Sequence, residues 1–314
     1  MDDFAAQTSA GDEVPVFAGF RKAGSRNVES TLKRVFSFQN SDFRFSAAIS
    51  VRTLFKMSPE RLILTIAAAF FLGGMVHAAV ALRRGAYRHS WTSMALMGPG
   101  FICQCLFLSW RGQEIGRCPL TNPFELLTFT AWSMALFYFV VGTTYRLSLM
   151  GVFTAPLAFV LQATALTKPL PAVPVRTAPA FWTEMHASLA LLAYGAFALA
   201  CVAGIMFLVQ DRLLKKHTYT GLMRALPPVH YLSRAIRRLI IAGTLILSAG
   251  IVCAYQMKEL PPMTKLIFVW VIWALYASML IYEFRRGMSA RRAAYAAAAA
   301  FFLPVVSLWF VVRR

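Results

Sequence analysis

The chain has 314 residues, of which 58% are hydrophobic and only 14% charged, where a soluble domain averages roughly 25% charged. Its charge is lopsided, with 32 Lys and Arg against 13 Asp and Glu, a net +19. In a soluble protein that excess would suggest nucleic acid, but here the basic residues form short clusters between long apolar runs. That placement argues against a nucleic-acid surface and for juxtamembrane charge that meets anionic lipid headgroups.

The five cysteines, Cys103, Cys105, Cys118, Cys201 and Cys253, form no C-x-x-C pair. They read as small apolar helix residues, not as a disulfide framework or a thiol redox centre.

Residues 1–56 are polar, rich in Ser, Asp and Arg, and read as a disordered N-terminal tail with no secretory h-region. From Leu62 the pattern changes. Apolar runs cover 62–82, 92–110, 123–143, 147–164, 187–209, 238–256, 265–283 and 293–311, each about the length needed to cross a hydrocarbon core of roughly 30 Å. Helices are expected, because an open chain inside a bilayer must pair its backbone groups within the segment. The predicted fold is therefore an all-α polytopic integral membrane protein with about eight transmembrane helices, occupying residues 57–314.

The connections set the orientation. Arg83, Arg84 and Arg88 follow the first span and Arg146 the third. Arg212, Lys215, Lys216, Arg224, Arg234, Arg237 and Arg238 follow the fifth, and Arg285, Arg286, Arg291 and Arg292 the seventh. The even-numbered connections carry only Arg111, Arg117, Lys168, Arg176, Lys258 and Lys265. The basic side is expected to be cytoplasmic, with both termini outside, in a bacterial-type inner membrane. A basic tail would then have to cross the bilayer; translation starting at Met57 would remove the conflict, and intact mass tests it. The outer connection 164–186 holds Pro169, Pro171, Pro174 and Pro179 and is expected to be extended. The basic connection 210–237 begins as a continuation of the fifth span through Lys216 and is interrupted at Pro227-Pro228.

Few polar side chains fall inside the spans, and each is a candidate by virtue of its cost there. His186 opens the fifth span beside Trp182, at the expected outer interface, where an imidazole ligates a haem iron or hydrogen-bonds a neighbour. His77 lies toward the other end of the first span, where a helix–helix hydrogen bond is the simpler role. Glu125 follows Asn122-Pro123-Phe124, and an acid in a first turn is ordinary helix-start chemistry. His89, His217 and His230 fall in basic connections and are expected to be solvated. No hydrolase, metalloprotease, phosphate-loop or dinucleotide motif is present, no span carries a row of carboxylates, and no catalytic or metal-ligating set emerges.

Four stretches, in order, resemble the cytochrome c assembly protein family, the CcsA/ResC/CcmC group, and especially its short HemX-like and YpjD-like branch. The first is Gly116-Arg117-Cys118-Pro119-Leu120-Thr121-Asn122-Pro123-Phe124-Glu125-Leu126-Leu127, with Trp132 following; the second runs from Trp182-Thr183-Glu184-Met185-His186 through Tyr194 to Gln210-Asp211-Arg212. The third is Leu226-Pro227-Pro228 with Arg237-Arg238-Leu239-Ile240 and Gly243 to Gly250. The fourth is Lys265, Trp273, Tyr276 and Gly287, with Arg291-Arg292-Ala293-Ala294. The resemblance implies an eight-helix membrane protein that binds or presents haem for cytochrome c maturation, an assembly factor more than a classical catalyst. It further implies other biogenesis proteins or an apocytochrome as partners. His186 matches the family's first outer histidine. The tryptophan-rich outer motif is replaced by Gln256-Met257-Lys258-Glu259-Leu260-Pro261-Pro262-Met263-Thr264, and Leu280-Ile281-Tyr282-Glu283 stands where the second outer histidine would be. If haem binds, His186 is the expected axial ligand, with Met257 or Met263 able to offer a sulfur to the other face and Trp182 or Tyr255 able to stack on the porphyrin. The alternative the resemblance leaves open is a HemX-like partner or regulatory subunit without haem, docking through the basic 210–238 segment. A small-molecule transporter is a third reading, disfavoured by the absence of paired, interrupted helices.

Overall fold

The computed structural model describes residues 58–83, 91–145, 150–170, 181–215, 229–257 and 263–312. Nine helices follow one another among the described residues: α1 Pro59–Arg83, α2 Trp91–Ile115, α3 Pro123–Tyr145, α4 Met150–Leu166, α5 Phe181–Lys215, α6 Val229–Tyr255, α7 Met263–Arg286, α8 Ala290–Ala300 and α9 Phe302–Val312. Seven stretches are long and apolar enough to cross a membrane, and α4, with 17 residues, is a shorter apolar helix. The chain is an all-α, multi-pass membrane protein. The tail 1–56 and Met57 lie outside the described residues, as do His89, His217 and the Pro227-Pro228 break.

Two boundaries depart from the sequence expectation and one follows it. The last span is two helices, α8 and α9, parted at Phe301. Pro304 explains the break: it has no N–H to offer, and its ring clashes with the carbonyl of Ala300, four residues back. Helix α5 runs on to Lys215, as the unbroken Gln210–Lys216 stretch suggested, and its 35 residues reach roughly 50 Å, well past the hydrocarbon. Helix α6 begins at Val229, nine residues before the expected 238, so Arg234, Arg237 and Arg238 ride on a helix, not in a loop. His230 is in its first turn, exposed, with its ring 4.0 Å from that of Tyr231.

Helices α1, α2, α3 and α4 pack together, and α5 packs on α3, α6 and α8. The central position of α5 follows from its composition. Every residue from Ala193 to Ala200 is buried, and most are Ala or Gly. Small side chains let helix axes approach closely, which is how helices associate in a membrane without a hydrophobic force between them. Helix α7 is peripheral, with only 17% of its apolar window buried, so most of its surface faces lipid.

Candidate functional site

At one end of the bundle α1, α3, α5 and α7 begin and α2, α4 and α6 finish; the connection 116–122 lies there too. Helix α3 starts because Asn122 caps it: its Oδ1 accepts from the Glu125 backbone N–H at 3.0 Å. Glu125 answers by accepting at Oε2 from the Thr121 backbone N–H and hydroxyl, both at 2.9 Å. This reciprocal arrangement is a relative of the capping box and holds the 121–125 turn rigid.

The other oxygen of Glu125 does something the sequence did not announce. Its Oε1 accepts from Arg111 Nε at 3.0 Å, and Arg111 Nη1 also reaches Glu60 Oε1 at 3.2 Å and Glu114 Oε2 at 3.3 Å. Arg111, which the charge pattern assigned to an outer connection, is helical and only 2% exposed; Glu125 is fully buried. A buried guanidinium ties α1, α2 and α3 together at this end. Glu125, fully buried, depends on Arg111 for its countercharge, while Arg111 shares its charge among Glu125, Glu60 and Glu114. Glu125 is thus enclosed, with both oxygens occupied. The signal that could have exposed Arg111 was its place seven residues after Gln104 on one helical face: Gln104, also buried, donates to Gln162 Oε1 at 2.8 Å.

The 116–122 connection docks on the start of α5. The Cys118 backbone N–H donates to Glu184 Oε2 at 3.1 Å, and its Sγ lies 3.3 Å from Ser188 Oγ. Burial pushes the Cys118 thiol pKa up, the Ser188 contact works against that, and the nearby Glu184 charge adds to it.

His186 stands midway between Glu184 and Ser188 along α5, half-buried, and turns to α6. Its Nδ1 is 2.8 Å from the carbonyl oxygen of Gly250. A carbonyl only accepts, so Nδ1 carries the proton and Nε2 of the neutral ring keeps its lone pair. The helices come close at Gly250: a Cβ there would stand 3.3 Å from Leu189 Cβ, a tight contact, and 3.7 Å from the His186 carbonyl oxygen. Helix α6 then ends at Tyr255, which is exposed, and Met257, half-buried, follows. Met263, at the start of α7, is 75% exposed, and Trp182 is exposed with its ring edge-on to Phe181.

His77 is elsewhere. Its Nε2 lies 2.9 Å from Thr92 Oγ1, where α1 finishes and α2 begins, at the opposite end of the bundle. The helix–helix hydrogen bond is its observed contact, and the structure does not bring it to His186. Among the described residues no group of three or more His, Cys, Asp or Glu could hold a metal ion. The chemistry at the His186 end is compatible with holding haem: His186 would offer Nε2, its Nδ1 being held by the Gly250 carbonyl, and Met257, Met263, Trp182 and Tyr255 lie at the same end of the bundle.

These features define a polytopic helical membrane protein with one oriented imidazole at the end opposite its basic clusters. Residues 120–313 match the cytochrome C assembly protein family, and the chain belongs to that family. It is 30% identical over 137 residues to the cytochrome c biogenesis protein CcsA of Chlorella vulgaris, covering 41% of this chain and 43% of that one. It is 32% identical over 117 residues to CcsA of Nostoc punctiforme, 35% of this chain and 33% of that one. To protein HemX of Brevibacillus brevis it is 29% identical over 146 residues, 44% of this chain and 51% of that one. The matches span a third to a half of the length of these relatives.

Proposed function

We propose that this protein is a haem-handling accessory factor of cytochrome c biogenesis in a bacterial-type inner membrane. Its basic end faces the cytoplasm and the His186 end faces outside, as the distribution of Lys and Arg favours. The observation that carries the reading is the hydrogen bond from His186 to the Gly250 carbonyl, which leaves Nε2 as a ligand. His186 would hold haem through Nε2, Met257 or Met263 would offer a thioether sulfur, and Trp182 would offer an aromatic ring. Bound haem would supply the prosthetic group itself, for transfer to an apocytochrome. The chain's own residues would only hold and orient it: Gly250 sets the imidazole, and the Arg111–Glu125 clamp and the Cys118–Glu184 contact fix the connection beside it.

The test is the absorption spectrum of the detergent-purified protein, oxidised and reduced, with a haemochrome assay on the same sample. A stoichiometric Soret band that is lost in His186→Ala supports the reading; a band unchanged in that variant removes His186 from it.

One observation favours a second reading. His186 is the only imidazole at its end among the described residues, since His77 and His230 lie at the other. A protein that stays colourless after haem titration would be a partner or regulatory subunit that keeps the family's fold without the cofactor.

A further inference from the structure

The basic end of α5 and α8 carries more charge than its own contacts use. Arg212 and Lys215 close α5; Arg291 and Arg292 open α8, whose first turn contains no acid. Asp211 is the one carboxylate among them in the described residues, shared by Lys215 at 3.0 Å and Arg291 at 3.4 Å. Two arginines in a helix's first turn oppose the positive end of its dipole, so this placement costs stability unless an anion joins them.

The packing of α5 on α8 sets this cluster. The two helices run antiparallel, with Gly204 against Ala294 so closely that a Cβ on Gly204 would lie 2.8 Å from the Ala294 carbonyl oxygen. Cys201 Sγ, one turn earlier, is 3.8 Å from the Ala298 carbonyl. The close crossing sets Arg291 over Tyr295, its guanidinium carbon 5.8 Å from the ring centre, and Arg212 acts electrostatically on the same residue.

From there the surface changes character within two turns. Arg291, Tyr295, Ala299 and Phe302 are all exposed and recur at helical spacing down one stripe of α8 and α9, with exposed Ile205 on α5. Charge, then a phenol, then a small residue, then apolar surface is the order of a phospholipid from headgroup to acyl chain.

We propose that Arg212 and Arg291, with Tyr295 between them, bind the phosphate of an anionic phospholipid whose acyl chain lies along Ala299 and Phe302. Arginine suits the role, because its planar fork meets two phosphate oxygens at once. The lipid, not free phosphate, is the ligand, since the apolar stripe continues the site into the bilayer.

The full-length protein, purified in a neutral detergent, is titrated with phosphatidylglycerol, phosphatidylcholine or inorganic phosphate, and the melting temperature is followed. Phosphatidylglycerol is expected to raise it saturably, and the other two to leave it unchanged. Arg212→Gln with Arg291→Gln should weaken the phosphatidylglycerol midpoint by about tenfold or more. Arg285→Gln with Arg286→Gln, an equal loss of charge at the same end, should change it less than about threefold. Equal weakening in the two pairs, a wild-type shift with phosphate alone, or no shift with phosphatidylglycerol would each overturn the site. Ala299→Trp keeps every charge and blocks the acyl stripe, so it tests the proposal even if the arginine pair fails to fold; it should weaken the midpoint by about tenfold, and an unchanged midpoint there also overturns the site.

Discussion

His186 on α5 and Gly250 on α6 are joined by a 2.8 Å contact between an imidazole nitrogen and a backbone carbonyl, at a crossing tight enough that a Cβ on residue 250 would stand 3.3 Å from Leu189 Cβ. Gly250→Leu should force α6 off α5 at this end. The expected cost is about 1–3 kcal/mol, the usual range for overpacking a tight contact. If His186 holds haem, the same variant should lose haemochrome absorption as fully as His186→Ala, although the imidazole is still present. Melting curves and haemochrome spectra on the two variants check this; full retention of haem in Gly250→Leu would dissociate the ligand from its carbonyl.

Arg111 and Glu125 make a buried ion pair. Arg111→Met should destabilise the protein by about 3–5 kcal/mol, because the fully buried Glu125 is left without a cation; Glu125→Leu should cost less, because Arg111 keeps Glu60 and Glu114. The double variant should be more stable than Arg111→Met, since the stranded Glu125 carboxylate is then gone. Unfolding of all four proteins in one detergent closes the cycle, and additive losses would show that the pair is not coupled.

Cys118 should be a slow thiol. Its folded-state pKa is raised, first by burial, so at neutral pH the thiolate fraction falls below that of an ordinary cysteine. Maleimide labelling of a variant retaining only Cys118 should therefore be slower than that of the unfolded protein, and should accelerate as pH rises toward the thiol's pKa. Glu184→Gln, which removes a negative charge, is expected to speed labelling modestly at fixed pH. Unchanged or slower labelling would place the Glu184 charge outside the thiol's influence.

Tyr276 stacks on Phe197 with ring centres 3.7 Å apart and planes within 2°, yet its hydroxyl is buried without a hydrogen-bond partner. Tyr276→Phe keeps the stack and removes the unpaired hydroxyl. It should be neutral or stabilising by about 1–2 kcal/mol, the range of the desolvation penalty relieved. A clear loss of melting temperature would mean that the hydroxyl does have a partner.

Much of the architecture was legible along the chain. Spans were visible because a bilayer demands long apolar helices, and the sorting of Arg and Lys into alternate connections needs no folding to be read. His186 was visible too, as an imidazole opening such a span. Contacts between distant residues were not. Arg111 looked like a connection charge, because burial of a guanidinium depends on carboxylates 14 and 51 residues away meeting it. The tautomer of His186 depends on a carbonyl 64 residues on, and Gly250 gives no periodic signal of its closeness. The opposite placement of His77 and His186, by contrast, was legible, because alternating spans put the start of the fifth and the far part of the first at opposite ends. The sequence by itself determined which segments cross and which connections are basic, since those follow from each segment's own transfer free energy. The tertiary structure decided which polar groups are satisfied and by whom, because in an apolar surrounding that depends on pairing across helices.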